Sequence, residues 1–486
     1  MKKNKFYLIA MICLLGCMVS CSDDFLDRIP ENSINDGSFW KSASDVKLYA
    51  NNFYTQAALM PTYPGPYAVQ GTDDWIYLNY DRRLNGEATL PGTGGGWATS
   101  DWAALRNLNY FFEKADAVEV SFDEIKQYIG EAHYFRAWFY FEKLKTFGDV
   151  PYTSKLVGSD SEELYLARTP RNELTDNILQ ELDLAVEYLP ARAGAAWNGR
   201  ITKEAALQLQ SRIALFEGTW EKYHGLKGTA FRVSGSDGTK YLQKAADAAG
   251  QLIALSEANG YPGLDNVGAD WGYKKLFGQT DYTNSKEILV WRKYSRLDGV
   301  TNGHVWDFFK GGNSCSVTKS HVDAYLCTDG KPIAVSHLYK GDHTIKDAII
   351  DRDPRLVQTI WVDDGLHYYT DHGGIVYWEY PNMYVDERYN MTGYLLFKHT
   401  VSDYVMALSQ QSDIGLIIMR YAEALLNYAE AKAELGTITQ DDIDKSVNLL
   451  RNRVGMPGLD IGNIAADPNW LFTGISPLLQ EIRRER

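Results

Sequence analysis

Helical periodicity dominates two blocks of the chain. From Glu124 onward, Ile125, Ile129, Ala132, Phe135 and Phe139 recur at i, i+3/i+4, and Tyr134, Trp138, Phe141 and Leu144 widen the stripe over most of the circumference. A helix apolar nearly all round has to be buried between neighbours. Gly148 stands where a C-cap glycine ends a helix, and Pro151 prevents continuation. Leu174, Ile178, Leu182, Ala185 and Leu189 mark a second amphipathic helix. A third starts at Thr202, a good N-cap residue, and a fourth runs from Tyr241 to a stop at Gly260. Downstream, Ile417 to Gly436 carries alanines that allow close helix approach, and Asp442 to Gly455 reads as one further helix. Pairs of such helices have the length found in tetratricopeptide repeats, without a fixed period. The predicted fold is mainly α: a TPR-like α-helical superhelix, with helices over about 101–260 and 413–455.

The pattern changes over about 61–100 and 261–412. Glycine, aspartate, tyrosine and tryptophan dominate there, and the short apolar runs Glu287–Arg292, Arg355–Trp361 and Tyr394–His399 suit strands. Irregular stretches of that length in a compact domain are usually functional. The expected arrangement is a helical scaffold presenting two loop-rich regions, a loop-rich irregular α+β insertion among them, on one face.

Aromatic content sharpens this. It reaches 13%, with 32 Tyr and 13 Trp, more than cores alone need; both side chains suit sites apolar on one side and wet on the other. Trp75, Tyr77, Trp97 and Trp102 lie in the first region, and Trp291, Tyr294, Trp306, Trp361 and Trp378 in the second. Sugar rings present apolar C–H faces and a hydroxyl rim, which an exposed ring and neighbouring Asp, Asn or Arg groups match. Trp97 follows Gly94-Gly95-Gly96 and cannot sit in a regular element, so it is the best exposed candidate. Trp102 begins a helix-like run and reads as core.

The N-terminus has its own organisation. Lys2, Lys3 and Lys5 precede an apolar run from Phe6 to about Val19, too short for a comfortable membrane span, in the layout of a secretory signal. Met18-Val19-Ser20-Cys21 resembles a bacterial lipobox, in which Cys21 is acylated and becomes the first residue, an anchor to the membrane. The implied boundaries are a signal peptide at 1–20, a lipidated acidic tether at 21–35, and a single domain over 36–486. Ser22-Asp23-Asp24 resembles the acidic signal that sends such lipoproteins to the outer face. Of 5 Cys, only Cys315 and Cys327 belong to the folded body, and whether they pair is open.

The net charge of −14 argues against nucleic acid, which needs a basic stripe, and against docking on anionic lipid. Catalytic signatures are missing. There is no phosphate loop, no H-E-x-x-H and no G-x-S-x-G elbow, and His367 and His372 are poorly spaced for a metal. No cofactor is implied. With 63 acidic residues, pairs such as Asp73-Asp74 and Asp363-Asp364 are expected by composition alone, so a glycosidase pair is not read from them.

Ordered stretches along most of the chain resemble the SusD/RagB family of outer-membrane nutrient-binding lipoproteins. These are "CSDDFLDRIPENS", "EAHYFRAWFYFEKLKTFGDVPY", "NGRITKEAALQLQSRIALFEGTW", "MRYAEALLNYAEAKAELG" and "NLLRNRVGMPGL". The resemblance implies a SusD-like fold and a binding protein rather than an enzyme. It also implies a SusC-like TonB-dependent β-barrel partner met largely through the TPR side, a glycan held by the loops, and a lipid-anchored place on the cell exterior. By position, Trp97 and Trp306 correspond to parts of the aromatic arc of the family's starch-binding founder. Trp75, Asp73, Arg83 and Tyr294 are further candidates from position and chemistry. A surface glycoside hydrolase using loop carboxylates and a TPR-type protein adaptor are the alternatives. The chain stops within "LLQEIRRER", where the family continues; the expectation is a truncated C-terminus whose last helix leaves an apolar face unpaired.

Overall fold

The computed structural model describes residues 39–63, 72–76, 80, 82–89, 94–192, 199–266, 268–309, 316–377, 390–470 and 472–486. Cys21 with its flanking acids, Tyr77, Cys315 and Trp378 lie outside them.

Six helices build the first block: α1 (Ala43–Asn51), α2 (Ala103–Asp116), α3 (Phe122–Phe147), α4 (Arg171–Tyr188), α5 (Lys203–Lys227) and α6 (Thr239–Asn259). Their ends obey local chemistry. Ser42 and Asp45 form a capping box on α1, and α3 stops at Gly148 with φ 69. The register of polar pairs shows antiparallel packing: His133 and Arg136 of α3 meet Glu181 of α4, while Arg171 and Asp183 of α4 meet Glu217 and Gln210 of α5. At the turn from α5 into α6, a Cβ on Gly238 (φ +78) would meet the Gly218 carbonyl, so glycine is required there. Helix Tyr421–Glu434 packs on α5 and α6 and closes the stack.

The interior of α3 is buried on every side from Gly130 to Phe141, as its all-round apolar pattern demands. Most of its buried polar groups find partners. Glu131 takes both arms of Arg200. Glu181 accepts from His133 Nδ1 (2.6 Å), Arg136 Nη2 (2.8 and 2.9 Å) and the Tyr152 hydroxyl (2.7 Å). Arg136 also donates to Asn109 of α2 (3.1 Å), and Asn109 donates to the Lys155 carbonyl (2.8 Å). One carboxylate thus anchors three helices and the strap at 152–155.

The insertion contains short antiparallel pairs: β1 (Trp75–Ile76) with β3 (Ser316–Val317), β2 (Ile288–Arg292) with β6 (Leu416–Arg420), and β4 (Tyr368–Asp371) with β5 (Gly374–Tyr377). Four expectations change. Arg355–Trp361 is not a strand: Pro354–Thr359 is helical because Asp353 caps the Arg355 N–H and Pro354 takes a first-turn position. Tyr394–His399 contributes isolated bridges at Leu395 and Leu396 rather than a ladder. Leu416–Arg420 is a strand, its β-branched Ile417 and Ile418 entering the sheet before the helix starts at Tyr421. The helix expected over Asp442–Gly455 is broken into Gln440–Asp444 and Val447–Arg453, with Ser446 at φ −133, ψ −91 and its hydroxyl on the Asp442 carbonyl.

Helix Pro477–Glu485 is also packed. Leu479 and Ile482 are buried, the latter among Ala429, Ile443, Val447 and Leu459, so the unpaired face expected there is covered. Glu485 joins Arg355 and Arg451, and Arg483 joins Glu430 and Glu434. Among the described residues no helix is long and apolar enough to cross a membrane.

Burial alone would raise the Glu181 carboxyl, but the His133 hydrogen bond and the Arg136 charge overcome it and hold it down at about 2, against an ordinary 4.5. A depressed carboxylate contributes stability that is complete above about pH 4.5 and is lost as the pH falls towards 2. Urea unfolding between pH 5 and pH 2.5 should therefore cost the wild type up to about 3 kcal/mol more than it costs Glu181→Gln. Equal losses in the two proteins would contradict this role.

Candidate functional site

The scaffold's role in a site begins at the last two turns of α3. The three glycines before Trp97 all have left-handed φ values, 74, 65 and 86, which side-chain-bearing residues rarely adopt. They form a turn closed by the Trp97 N–H on the Gly94 carbonyl (3.2 Å). Lys143 of α3 donates to the Gly96 carbonyl (2.7 Å) and lies 4.9 Å from the centre of the Trp102 ring. Desolvation lowers its pKa. Trp97 is half-buried. Trp102 (5.2 Å) and Phe147 (4.8 Å) meet its ring edge-to-face, and the Arg168 guanidinium lies over it at 4.6 Å. Trp102 itself is half-buried against Phe139.

Beside this turn is a cleft of about 520 Å³, whose walls include Gly96, Asp101, Lys143 and Phe147 on one side and Pro61 and Thr62 on the other. The next residue, Tyr63, connects the cleft to the insertion. Its N–H donates to the Tyr294 hydroxyl (2.8 Å), its own hydroxyl donates to Asp307 (3.0 Å), and its ring stacks on His304 at 4.7 Å and 23°. Burial lowers His304 to about 4, which keeps the imidazole neutral near pH 7. Trp306 sits half-buried on the same short helix, His304–Phe309.

The predicted residues therefore do not fall into one cluster. Trp97 adjoins Gly96 of the cleft wall, and Trp306 lies on the short helix whose His304 and Asp307 hold Tyr63, the residue after the cleft-lining Thr62. Tyr294 is 6% exposed with its hydroxyl engaged by Tyr63, so it supports the platform from beneath and does not face solvent. Trp75 pairs with Val317 and packs, half-buried, on a satellite core with Val317, Leu356 and Leu396, while Asp73 is exposed and its carbonyl accepts from Thr318 (2.8 Å). Arg83 is exposed in a turn closed by the Gly86 N–H on its carbonyl. Of the other candidates, Trp291 and Trp361 are buried.

Tyr63, His304 and Asp307 were missed. The only signal for Asp307 was its place next to Trp306. Tyr63 meets Asp307 across 244 residues, which no local pattern reveals. His367 has both ring nitrogens engaged, by Asp364 and by the Val357 carbonyl (each 2.9 Å), and His372 bonds Tyr404 (3.0 Å). Among the described residues no group of three or more His, Cys, Asp or Glu could hold a metal ion.

A family profile described as the SusD family matches residues 298–486, and one described as starch-binding associating with outer membrane matches 93–215. SusD-like protein P2 of Formosa agariphila is 26% identical over 203 residues, 38% of each chain. A SusD-like protein of Bacteroides ovatus is 27% identical over 233 residues, 45% of this chain and 40% of that one. The matches thus span about two fifths of the length of these curated relatives. Among solved structures, a SusD-like protein of Bacteroides fragilis superposes with a TM-score of 0.68 at 24% identity, covering 94% of this chain and 85% of that one. Surface glycan-binding protein A of Bacteroides uniformis superposes with a TM-score of 0.57 at 16% identity, covering 91% and 84%. Both likenesses establish the fold.

The packing separates the two leading tryptophans. Trp97→Ala removes a ring wedged between Trp102, Phe147 and Arg168 and should cost about 2 kcal/mol in urea unfolding. Trp306→Ala should stay within about 1 kcal/mol of wild type. The reverse order would refute this assignment of packing.

Proposed function

The chain belongs to the SusD/RagB family, and on that premise we propose that it is a cell-surface glycan-binding lipoprotein. It captures oligo- or polysaccharide on its loop face and delivers it to a SusC-like TonB-dependent outer-membrane transporter. Cys21 carries the lipid that holds it at the outer membrane, facing the exterior, and the helical side is left for the barrel. Its contribution to uptake is binding, with no bond made or broken.

The observation that best supports this reading is the cleft beside the Trp97 turn, whose Pro61–Thr62 wall runs into Tyr63 and so to the helix that carries Trp306. A cleft of about 520 Å³ is in the size range of small-ligand sites. It leads onto a platform whose rings, Tyr63 and Trp306, offer apolar surface for sugar C–H faces. Asp101, Lys143 and Asp307 supply polar groups for hydroxyls along the same path. The platform is rigid because Tyr63 is fixed at its N–H, its hydroxyl and its ring face, so little side-chain freedom is lost on binding. The two matching family profiles, one of them described as starch-binding, support the ligand class.

Calorimetric titration against a panel of soluble oligosaccharides tests the reading. The protein should bind at least one glycan, and Trp306→Ala should weaken that binding at least tenfold, or about 1.4 kcal/mol. No binding across a broad panel, or new reducing ends released from the bound glycan, would overturn it.

A further inference from the structure

A second cavity, of about 640 Å³, lies elsewhere in the insertion and shares no lining residue with the cleft beside Trp97. Three rings contribute to its wall: Trp271, Tyr368 and Phe397. Trp271 is half-buried, has a left-handed backbone (φ 57) and meets Phe397 edge-to-face at 5.8 Å. Such a backbone is uncommon for a non-glycine residue and often marks a functional position. Tyr368 is 39% exposed at the rim. Its hairpin is fastened to the opposite wall: the Thr370 N–H donates to the Ser402 carbonyl (3.0 Å) and the Ser402 hydroxyl donates to the Tyr368 carbonyl (3.1 Å).

The polar lining is one-sided. Lys274, Lys275 and Gln279 line the cavity, and no aspartate or glutamate does. In a chain of net charge −14 that is a local inversion. Among the described residues neither lysine pairs with a carboxylate. Lys274 Nζ donates to the Thr400 carbonyl (2.7 Å) and lies 4.1 Å from the centre of the Phe397 ring. Desolvation lowers its pKa to about 8. A cation kept at a cavity wall without a counter-charge is what an anionic ligand would complete, and rings beside it match the apolar face of a sugar.

We propose that this cavity is a second saccharide subsite, selective for sugars that carry a negative charge, carboxylate or sulfate. Lys274 and Lys275 take the anion, Gln279 a hydroxyl, and Trp271 and Tyr368 the ring face. The sugar part of the proposal rests on the glycan-binding reading above; the charge selectivity rests on this cavity alone.

The test is calorimetry of the whole chain with tetragalacturonate, a sulfated carrageenan tetrasaccharide and neutral cellotetraose. At least one anionic probe should bind tenfold or more tighter than cellotetraose, and which one does separates carboxylate from sulfate. The Lys274→Met/Lys275→Met double variant should lose that advantage, whereas Lys240→Met, a change at an exposed lysine of α6 that lines neither cavity, should keep it. If the double variant does not fold, Lys275→Met, a change at an exposed side chain, should still lose at least threefold. Anionic probes no tighter than cellotetraose, or an advantage that survives the lysine changes, would overturn the subsite even if neutral glycans bind elsewhere. Failure to bind any glycan of a broad panel would instead overturn the glycan-binding reading itself.

Discussion

Everything in this molecule is arranged around the burial of α3. Its apolar residues occupy nearly the whole circumference, so no single partner can cover it. α1, α2, α4 and α5 are all in contact with it, α4 most extensively, while α5 packs chiefly on α6. Once a helix is enclosed, its polar groups have to be paired inside the protein, because an unpaired buried charge or donor costs several kcal/mol. Glu131, Arg136 and Lys143 each find a partner on a different element. The pairs specify which neighbour lies on which side, while the apolar burial provides the driving force.

The same helix positions the site. Lys143 and Phe147 belong to its final turns, and together they hold the Gly94–Gly96 turn and the Trp97 ring. The proposed binding face is thus built onto the core, and Trp97, expected from the sequence to be exposed, is half-buried and enclosed. On the other side of the cleft the constraint comes from the insertion. Tyr63 is tied to Tyr294 and Asp307 and stacked on His304, so a strand neighbourhood and a short helix are joined through a single residue. Rigid elements supporting loops that carry ligand-facing groups are the usual division of labour in binding proteins.

The helical scaffold was legible in the chain because its signals are local. A stripe at i, i+3/i+4 and a stopping glycine each act within a few residues, and α3 to α6 were read from them; Thr202 does stand at the N-cap position of α5, but its side chain makes no capping hydrogen bond. Local signals also misled. An apolar run such as Arg355–Trp361 has no distinguishing period at that length, and its helical state is decided by Asp353 and Pro354 just before it. Ile417–Arg420 looks helical in continuity with the alanine-rich helix, yet pairing with Ile288–Arg292 makes it a strand. For the proposed site, Trp97 was picked out by its glycines and Trp306 by family position. Tyr63 and Asp307 were not, since their contact exists only after distant segments are folded together. Tyr294 was chosen for its chemistry, and that chemistry is used internally.

The central claim is that the ligand face runs from the Trp97 turn through Tyr63 to Trp306, on the side of the scaffold built by the end of α3. The most direct measurement is a crystal structure of the protein soaked with an oligosaccharide that it binds in solution. The account predicts sugar density along the Pro61–Tyr63 wall, with a ring against Trp306 and hydroxyls within hydrogen-bond distance of Asp307 or Lys143. Density confined to the helical face of α4 to α6, with that cleft filled only by water, would contradict it.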